Sequence, residues 1–201
     1  IQRLHQLGLL GPGFIGVHGV HFSEDELALL ADTGASIAHC PTSNMKLASG
    51  FAPVARMRQL SINVGLGTDG AASNNRLDLF SEMKLAALLA KGITGDAAAL
   101  PAHDVLRMAT LGGAQALGLA DEIGSLTPGK SADICAVHLG ALESRPCYDP
   151  VSHLVHVCGR ESVSHVWIAG KCCVDNKTLP KQSLNDLESA IALWQNKLEV
   201  R

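Results

Sequence analysis

Ile62-Asn63-Val64-Gly65-Leu66-Gly67-Thr68-Asp69-Gly70-Ala71-Ala72-Ser73-Asn74 reads as a short apolar strand running into a turn of small residues that carries one carboxylate. Ile62, Val64 and Leu66 alternate with the period of two expected of a strand. Gly67, Gly70, Ala71 and Ala72 leave room around Asp69. A carboxylate released from a strand end into an uncrowded loop is where α/β enzymes place metal ligands and bases. Aspartate also caps helices and closes turns. A local role for Asp69, capping a helix that starts near Leu77 or bracing its own turn, therefore stands beside the chemical one.

The same event occurs twice upstream. Phe14-Ile15-Gly16-Val17 is an apolar strand ending at His18, with His21 close behind. Ser23-Glu24-Asp25-Glu26 is a capping box ahead of Leu27, Leu29, Leu30 and Ala31, and that helix stops near Thr33-Gly34. A second strand, Ala35 to Ala38, ends at His39-Cys40-Pro41-Thr42-Ser43-Asn44. Pro53 suits the first residue of a helix running through Met57 to Leu60. Strand, polar group and helix thus recur with His18, His39 and Asp69. Successive βα units of roughly 20 to 30 residues imply parallel strands with crossover helices and polar groups at one rim. His18 follows its apolar run directly. His39, ahead of Pro41, also has a reading as a satisfied structural histidine, and His21 as a surface residue.

Downstream, Leu77 to Lys91 is an amphipathic helix with Leu79, Phe80, Met83, Ala87 and Leu88 at helical spacing. A helix from Pro101 to Thr110 carries an exposed His103, and Gly112-Gly113 breaks or kinks it before Ala114 to Leu119. Leu4 to Leu10 reads as the end of a helix stopped by Gly11-Pro12-Gly13. Near residue 120 the texture changes: a turn-rich link at 123–130, a strand at 132–137, a short helix at 151–156 capped by Asp149, and a hairpin from Val163–Ala169 into Cys172-Cys173-Val174. An amphipathic helix, Leu184 to Leu198, closes the chain, with Trp194 expected to anchor it on the body.

The 201 residues suffice for one large domain or two small ones, with 47% hydrophobic and 17% charged residues. A net charge of -3 gives no electrostatic reason to expect nucleic acid or an anionic membrane as partner. No apolar run reaches the length of a bilayer span. The six cysteines show no CxxC spacing, which points to a reducing, cytoplasmic setting with Cys172 and Cys173 as buried thiols. The chain opens on Ile1 without an initiator Met, which suggests a trimmed or partial chain.

Three stretches together resemble the amidohydrolase superfamily, nearest to its methylthioadenosine/S-adenosylhomocysteine deaminases and the triazine chlorohydrolases. They are Val17-His18-Gly19-Val20-His21, Ala38-His39-Cys40-Pro41-Thr42-Ser43-Asn44-Met45-Lys46-Leu47-Ala48-Ser49-Gly50, and Gly67-Thr68-Asp69-Gly70-Ala71-Ala72-Ser73-Asn74-Asn75. Gly124 to Asp133 resembles the link into that family's small β domain, and Val166 to Lys171 its closing hairpin.

The resemblance implies an α/β fold, a metal-dependent (βα)8 TIM barrel joined to a small β-sandwich. Residues 1–120 would be the sixth to eighth βα units with their following helices, 121–178 part of the sandwich, and 179–201 a C-terminal helix. It implies one divalent ion, zinc or iron, that activates a water. Asp69 matches the aspartate after the eighth strand, a metal ligand that takes the proton from that water. His18 matches the histidine after the sixth strand, near substrate and water. His39, Ser43 and Asn44 match a loop that shapes the site. The substrate implied is a purine nucleoside of the adenosyl type, losing ammonia from its ring.

The departure from the family pattern is large. No His-x-His occurs in the 201 residues, and the family's further histidine and its proton-shuttling glutamate have no match. One carboxylate and one or two histidines fall short of a catalytic divalent site. The expectation is a C-terminal fragment, inactive alone, with an exposed sheet edge. Other amidohydrolases (triazine chlorohydrolase, guanine or cytosine deaminase) and a non-catalytic, partner-completed module are the alternatives. The resemblance also implies a homo-oligomer, since the family is often dimeric or larger, with the Leu184–Leu198 helix as an expected interface element.

Overall fold

A computed structural model describes residues 1–180 and 183–199. The chain divides into two compact units, Ile1–Lys130 with Leu139–Ser162, and Ser131–His138 with the chain from Val163 onward.

The first unit is built on a parallel sheet of β1 (Ile15–Val17), β2 (Ser36–His39) and β3 (Asn63–Leu66), in that order. Ile37 pairs with Gly16 on one side and Val64 on the other, so the three strands end on the same rim. β1 is an edge strand, and Val17 is 53% exposed. After a short helix, α1 (Gln2–Gln6), the crossover from β1 to β2 is α2 (Glu24–Thr33). Ser23 and Glu26 form its reciprocal capping box, and Gly34 ends it in the left-handed conformation. Leu27 and Leu30, on one face of α2, are fully buried. The core they enter also holds Ile37, Met57, Ile62, Val64, Met83, Val105, Met108 and Val155.

Between β2 and β3 lie α3 (Pro41–Lys46) and α4 (Val54–Gln59). The segment expected as a loop after His39 is therefore helical. Pro41 sits at its first turn, but PTSNMK carries no apolar period that would announce a helix. α5 (Leu79–Thr94) follows β3, capped by the Asp78 side chain, which accepts the Phe80 amide at 3.0 Å. Its buried face is Glu82, Met83, Ala86, Ala87 and Ala90, whereas Leu79 and Leu88, expected inside, are 40% and 50% exposed.

α6 (Ala102–Arg107) does not break at the glycine pair. It runs through a π turn, Met108–Gly112, into α7 (Gly113–Ala116). The glycines are there for close approach: a Cβ on Gly112 would lie 2.5 Å from the Val64 carbonyl oxygen, and one on Gly65 3.0 Å from Gly113 Cα. Asn63 Nδ2 fastens this turn to the sheet, donating to Gly112 O and Ser36 Oγ, both at 3.0 Å. The N-terminal helix is also shorter than expected, ending at Gln6.

The second unit is an antiparallel sheet of β4 (Ile134–Val137), β5 (Val163–Ile168) and β6 (Lys171–Val174). Gly170 turns the β5–β6 hairpin with φ 75°. Cys172 and Cys173, expected buried, are half-buried. His165 stacks on Trp167 with ring centres 5.4 Å apart. The first unit also holds α8 (Pro150–His156), capped by Asp149. α9 (Leu184–Glu199) completes the described chain. Trp194, expected to anchor this helix, is 61% exposed, with Lys197 Nζ over its ring. No helix among the described residues is long and apolar enough to cross a membrane.

Candidate active site

His18, His39 and Asp69 all leave the sheet at the shared rim of β1, β2 and β3. His18 and Asp69 do so in the left-handed backbone region, with φ 69° and 60°. For residues with a Cβ this is an uncommon conformation, and it persists only where surroundings hold it. His18 N donates to Ala38 O across the sheet at 3.0 Å, which fixes the turn just as the chain leaves β1. Gly67 N donates to His39 O at 2.9 Å and does the same for the loop after β3.

α3 brings the other two together. Ser43 Oγ donates to Asp69 Oδ2 at 2.7 Å, and the next residue, Asn44, accepts from His18 Nδ1 through Oδ1 at 2.9 Å. Consecutive residues of one short helix thus tie His18 and Asp69 to one place. The Asn44 side-chain oxygen can only accept, so His18 Nδ1 is the donor in this bond. Asp69 Oδ2 accepts a second hydroxyl, Ser73 Oγ, at 2.6 Å. The Ser73 and Ser43 hydroxyls, with the Gly70 amide, pull the Asp69 carboxyl down to about 2, so it is ionised at neutral pH.

His39 is not part of this cluster. It is 3% exposed, and burial first, then nearby His18, pushes it down to about 4, so it is neutral. Its Nδ1 has no partner among the described residues, nor has Asn44 Nδ2. Both residues line a small cavity of about 10 Å³, far too small for a purine. Cys40, between them in sequence, is an inert thiol, raised to about 11 by burial and then by the Asp69 and Glu82 charges. His21 and His103 are exposed, as expected.

Three residues of the network were not singled out from sequence. Ser73 completes the clamp on Asp69. Glu82, 1% exposed, accepts the Thr42 amide and the Asn74 side-chain amide. Lys46 Nζ donates to Ala72 O at 2.8 Å and to Asn75 Oδ1 at 2.6 Å, tying α3 to the Asp69 loop again. For Glu82 the signal was present: it falls at helical spacing with Met83, Ala86 and Ala90, on the face of α5 that goes inside.

A catalytic divalent centre takes three or more protein donors. No group of three or more His, Cys, Asp and Glu among the described residues can hold a metal ion. Asp69 and His18 are donors of the right kind, but by themselves they do not fit a complete centre.

Residues 1–173 match the model of the amidohydrolase family. A 5-methylthioadenosine/S-adenosylhomocysteine deaminase of Teredinibacter turnerae is 48% identical over 98% of this chain, which covers 45% of that relative. The crystal structure of an adenosine deaminase from Xanthomonas campestris with bound zinc superposes with a TM-score of 0.97 at 45% identity, covering 100% of this chain and 46% of that one. A mutant of atrazine chlorohydrolase from Arthrobacter aurescens, complexed with zinc and atraton, gives 0.90 at 29% identity over 96% of this chain and 43% of its own. The chain therefore spans about 45% of the length of the curated relatives it matches.

Proposed function

The chain belongs to the amidohydrolase family, and from that premise we propose that it is part of a hydrolytic deaminase of adenosyl-type purines, 5-methylthioadenosine or S-adenosylhomocysteine. The observation that carries this reading is the convergence of His18 and Asp69 on Ser43-Asn44 at a single sheet rim. In this proposal residues 1–120 are the sixth to eighth βα units of a (βα)8 barrel. Residues 121–178 are part of a small β-sandwich, and 179–201 a closing helix. One divalent ion, zinc or iron, is proposed for the centre, with Asp69 as the ligand this chain contributes; such an ion supplies an acidified water.

The side chains of the cluster define their own parts. Asp69 stays ionised because two serines occupy Oδ2, which leaves Oδ1 without a side-chain donor and able to ligate or to take a proton. His18, donating from Nδ1 to Asn44, has its ring orientation fixed and leaves Nε2 for a hydrogen bond to substrate or water. His39 shapes the wall and, being neutral and buried, takes no charged role. The likeness to a triazine chlorohydrolase favours a second reading, hydrolytic dechlorination of a triazine by the same residues.

The experiment is to express the native polypeptide that carries these residues and offer it 5-methylthioadenosine, S-adenosylhomocysteine and a chlorotriazine. Ammonia from the adenosyl compounds is expected. Chloride from the triazine with no ammonia would replace this reading with the second one.

A further inference from the structure

Glu82 is a buried carboxylate that the chemistry above does not use. None of the ion pairs among the described residues includes it. Its two oxygens are divided between two chain segments. Oε2 accepts the backbone amide of Thr42 at 3.0 Å, and Oε1 accepts Asn74 Nδ2 at 2.6 Å. Thr42 directly precedes Ser43, and Asn74 directly follows Ser73. Those two serines both donate to Asp69 Oδ2. Each oxygen of one carboxylate thus holds the neighbour of a serine that holds the other.

We infer that Glu82 is a positioning residue for Asp69: by gripping Thr42 and Asn74 at a fixed separation, it sets the spacing of the Ser43 and Ser73 hydroxyls that orient the Asp69 carboxylate. The catalytic meaning of this rests on the function proposed above; the mechanical part does not.

The polarity of the site specifies a carboxylate. A backbone N–H can only donate. Asn74 is locked as a donor toward Glu82, because Nδ2 also donates to Thr68 O at 2.9 Å while Oδ1 accepts the Arg76 amide at 3.3 Å. Two donors converge, so both ends of the side chain must accept. Glutamine has one accepting end, and its amide would face a donor. An apolar residue would fill the same core volume but leave two buried donors unpaired. A side chain kept only for packing would need neither oxygen.

The test uses Glu82→Gln in the native polypeptide that carries this chain, followed by amide hydrogen exchange. Protection is expected to fall about tenfold both at Thr42–Asn44 and at Gly70–Asn74, while Leu27–Ala31 of α2 is unchanged. For ammonia release from 5-methylthioadenosine, kcat is expected to fall with KM steady. Ser73→Ala added to Glu82→Gln should then cost less than Ser73→Ala alone, because both act through the same hydroxyl. Unchanged protection, loss at only one of the two segments, or loss spread equally over α2 would overturn the inference, as would kcat effects that simply multiply. If Glu82→Gln does not fold, Asn74→Ala takes its place. It should free Gly70–Asn74 and spare Thr42, and equal loss at both or at neither would be fatal. A native polypeptide that releases no ammonia removes the proposed function, while the exchange result still decides the role of Glu82.

Discussion

Asp69 and His39 sit at neighbouring strand ends and both make the fold sensitive to acid, for different reasons. The Asp69 carboxyl, held down to about 2 by Ser73 and Ser43, ionises more readily folded than unfolded. Its stabilisation is present above the ordinary carboxylate range and is lost as pH falls through about 2. His39, lowered to about 4 by burial and then by His18, refuses a proton that the unfolded chain accepts from about pH 6.5 downward. Its contribution is therefore complete above pH 6.5, declines as pH falls to 4, and is constant below. The drop is on the order of 3 kcal/mol. His39→Gln should flatten it, read as urea midpoints at pH 7, 5.5 and 4.5; equal slopes in the two proteins would refute the assignment. In the native polypeptide that carries this chain, and on the function proposed above, Asp69→Asn is expected to lower ammonia release from 5-methylthioadenosine by about 10²–10⁴-fold without unfolding the protein at pH 7, checked by kinetics and circular dichroism. His18 and Asp69 were legible in sequence because each ends an apolar run. The partners that orient them were less so: Ser43 and Asn44 lie in a stretch without periodicity, and nothing local marks Ser73 as a clamp.

At the scale of elements, the π turn between α6 and α7 has the sharpest sequence requirement. A glycine pair in a helical pattern reads as a break or a kink, since glycine costs roughly 1 kcal/mol there relative to alanine. The turn survives because β3 packs against it more closely than any Cβ allows. The two glycines are not equivalent. A Cβ at Gly112 would meet the Val64 carbonyl oxygen at 2.5 Å, whereas one at Gly113 finds nothing nearer than Met108 O at 4.0 Å. Gly112→Ala should therefore destabilise by about 1–3 kcal/mol, the usual cost of overpacking. Gly113→Ala should be neutral or stabilise by up to about 1 kcal/mol through helix propensity. Urea unfolding of the pair decides it, and equal effects would mean the close approach to β3 is not what selects glycine. The capped helices α2 and α8 were legible for the opposite reason: Ser23, Glu26 and Asp149 act within a few residues of themselves. Only the packing against β3 could have shown that Gly112 and Gly113 continue a helix, and that contact spans the sequence from Val64 to Gly112.

For the whole molecule, alternation of strand and helix made the parallel order of β1, β2 and β3 readable, because each crossover returns the chain to the same rim. What alternation could not convey is which polar groups meet. The 201 residues contain 9 histidines, 6 cysteines and 19 acidic residues, ample donors by number, yet the described ones bring no three together. Zinc binding needs preorganised donors, and each ligand that must be recruited from solvent or from a mobile segment lowers affinity. Asp69 is preorganised by two serines and His18 by Asn44, but two donors hold a divalent ion weakly against a chelator or dialysis. The isolated 201-residue chain, loaded with zinc and dialysed, is therefore expected to retain well under one equivalent and to release no ammonia from 5-methylthioadenosine. Elemental analysis and an ammonia assay on the same sample check this. A full equivalent of zinc that survives dialysis, and that Asp69→Asn removes, would show that these residues close a centre by themselves.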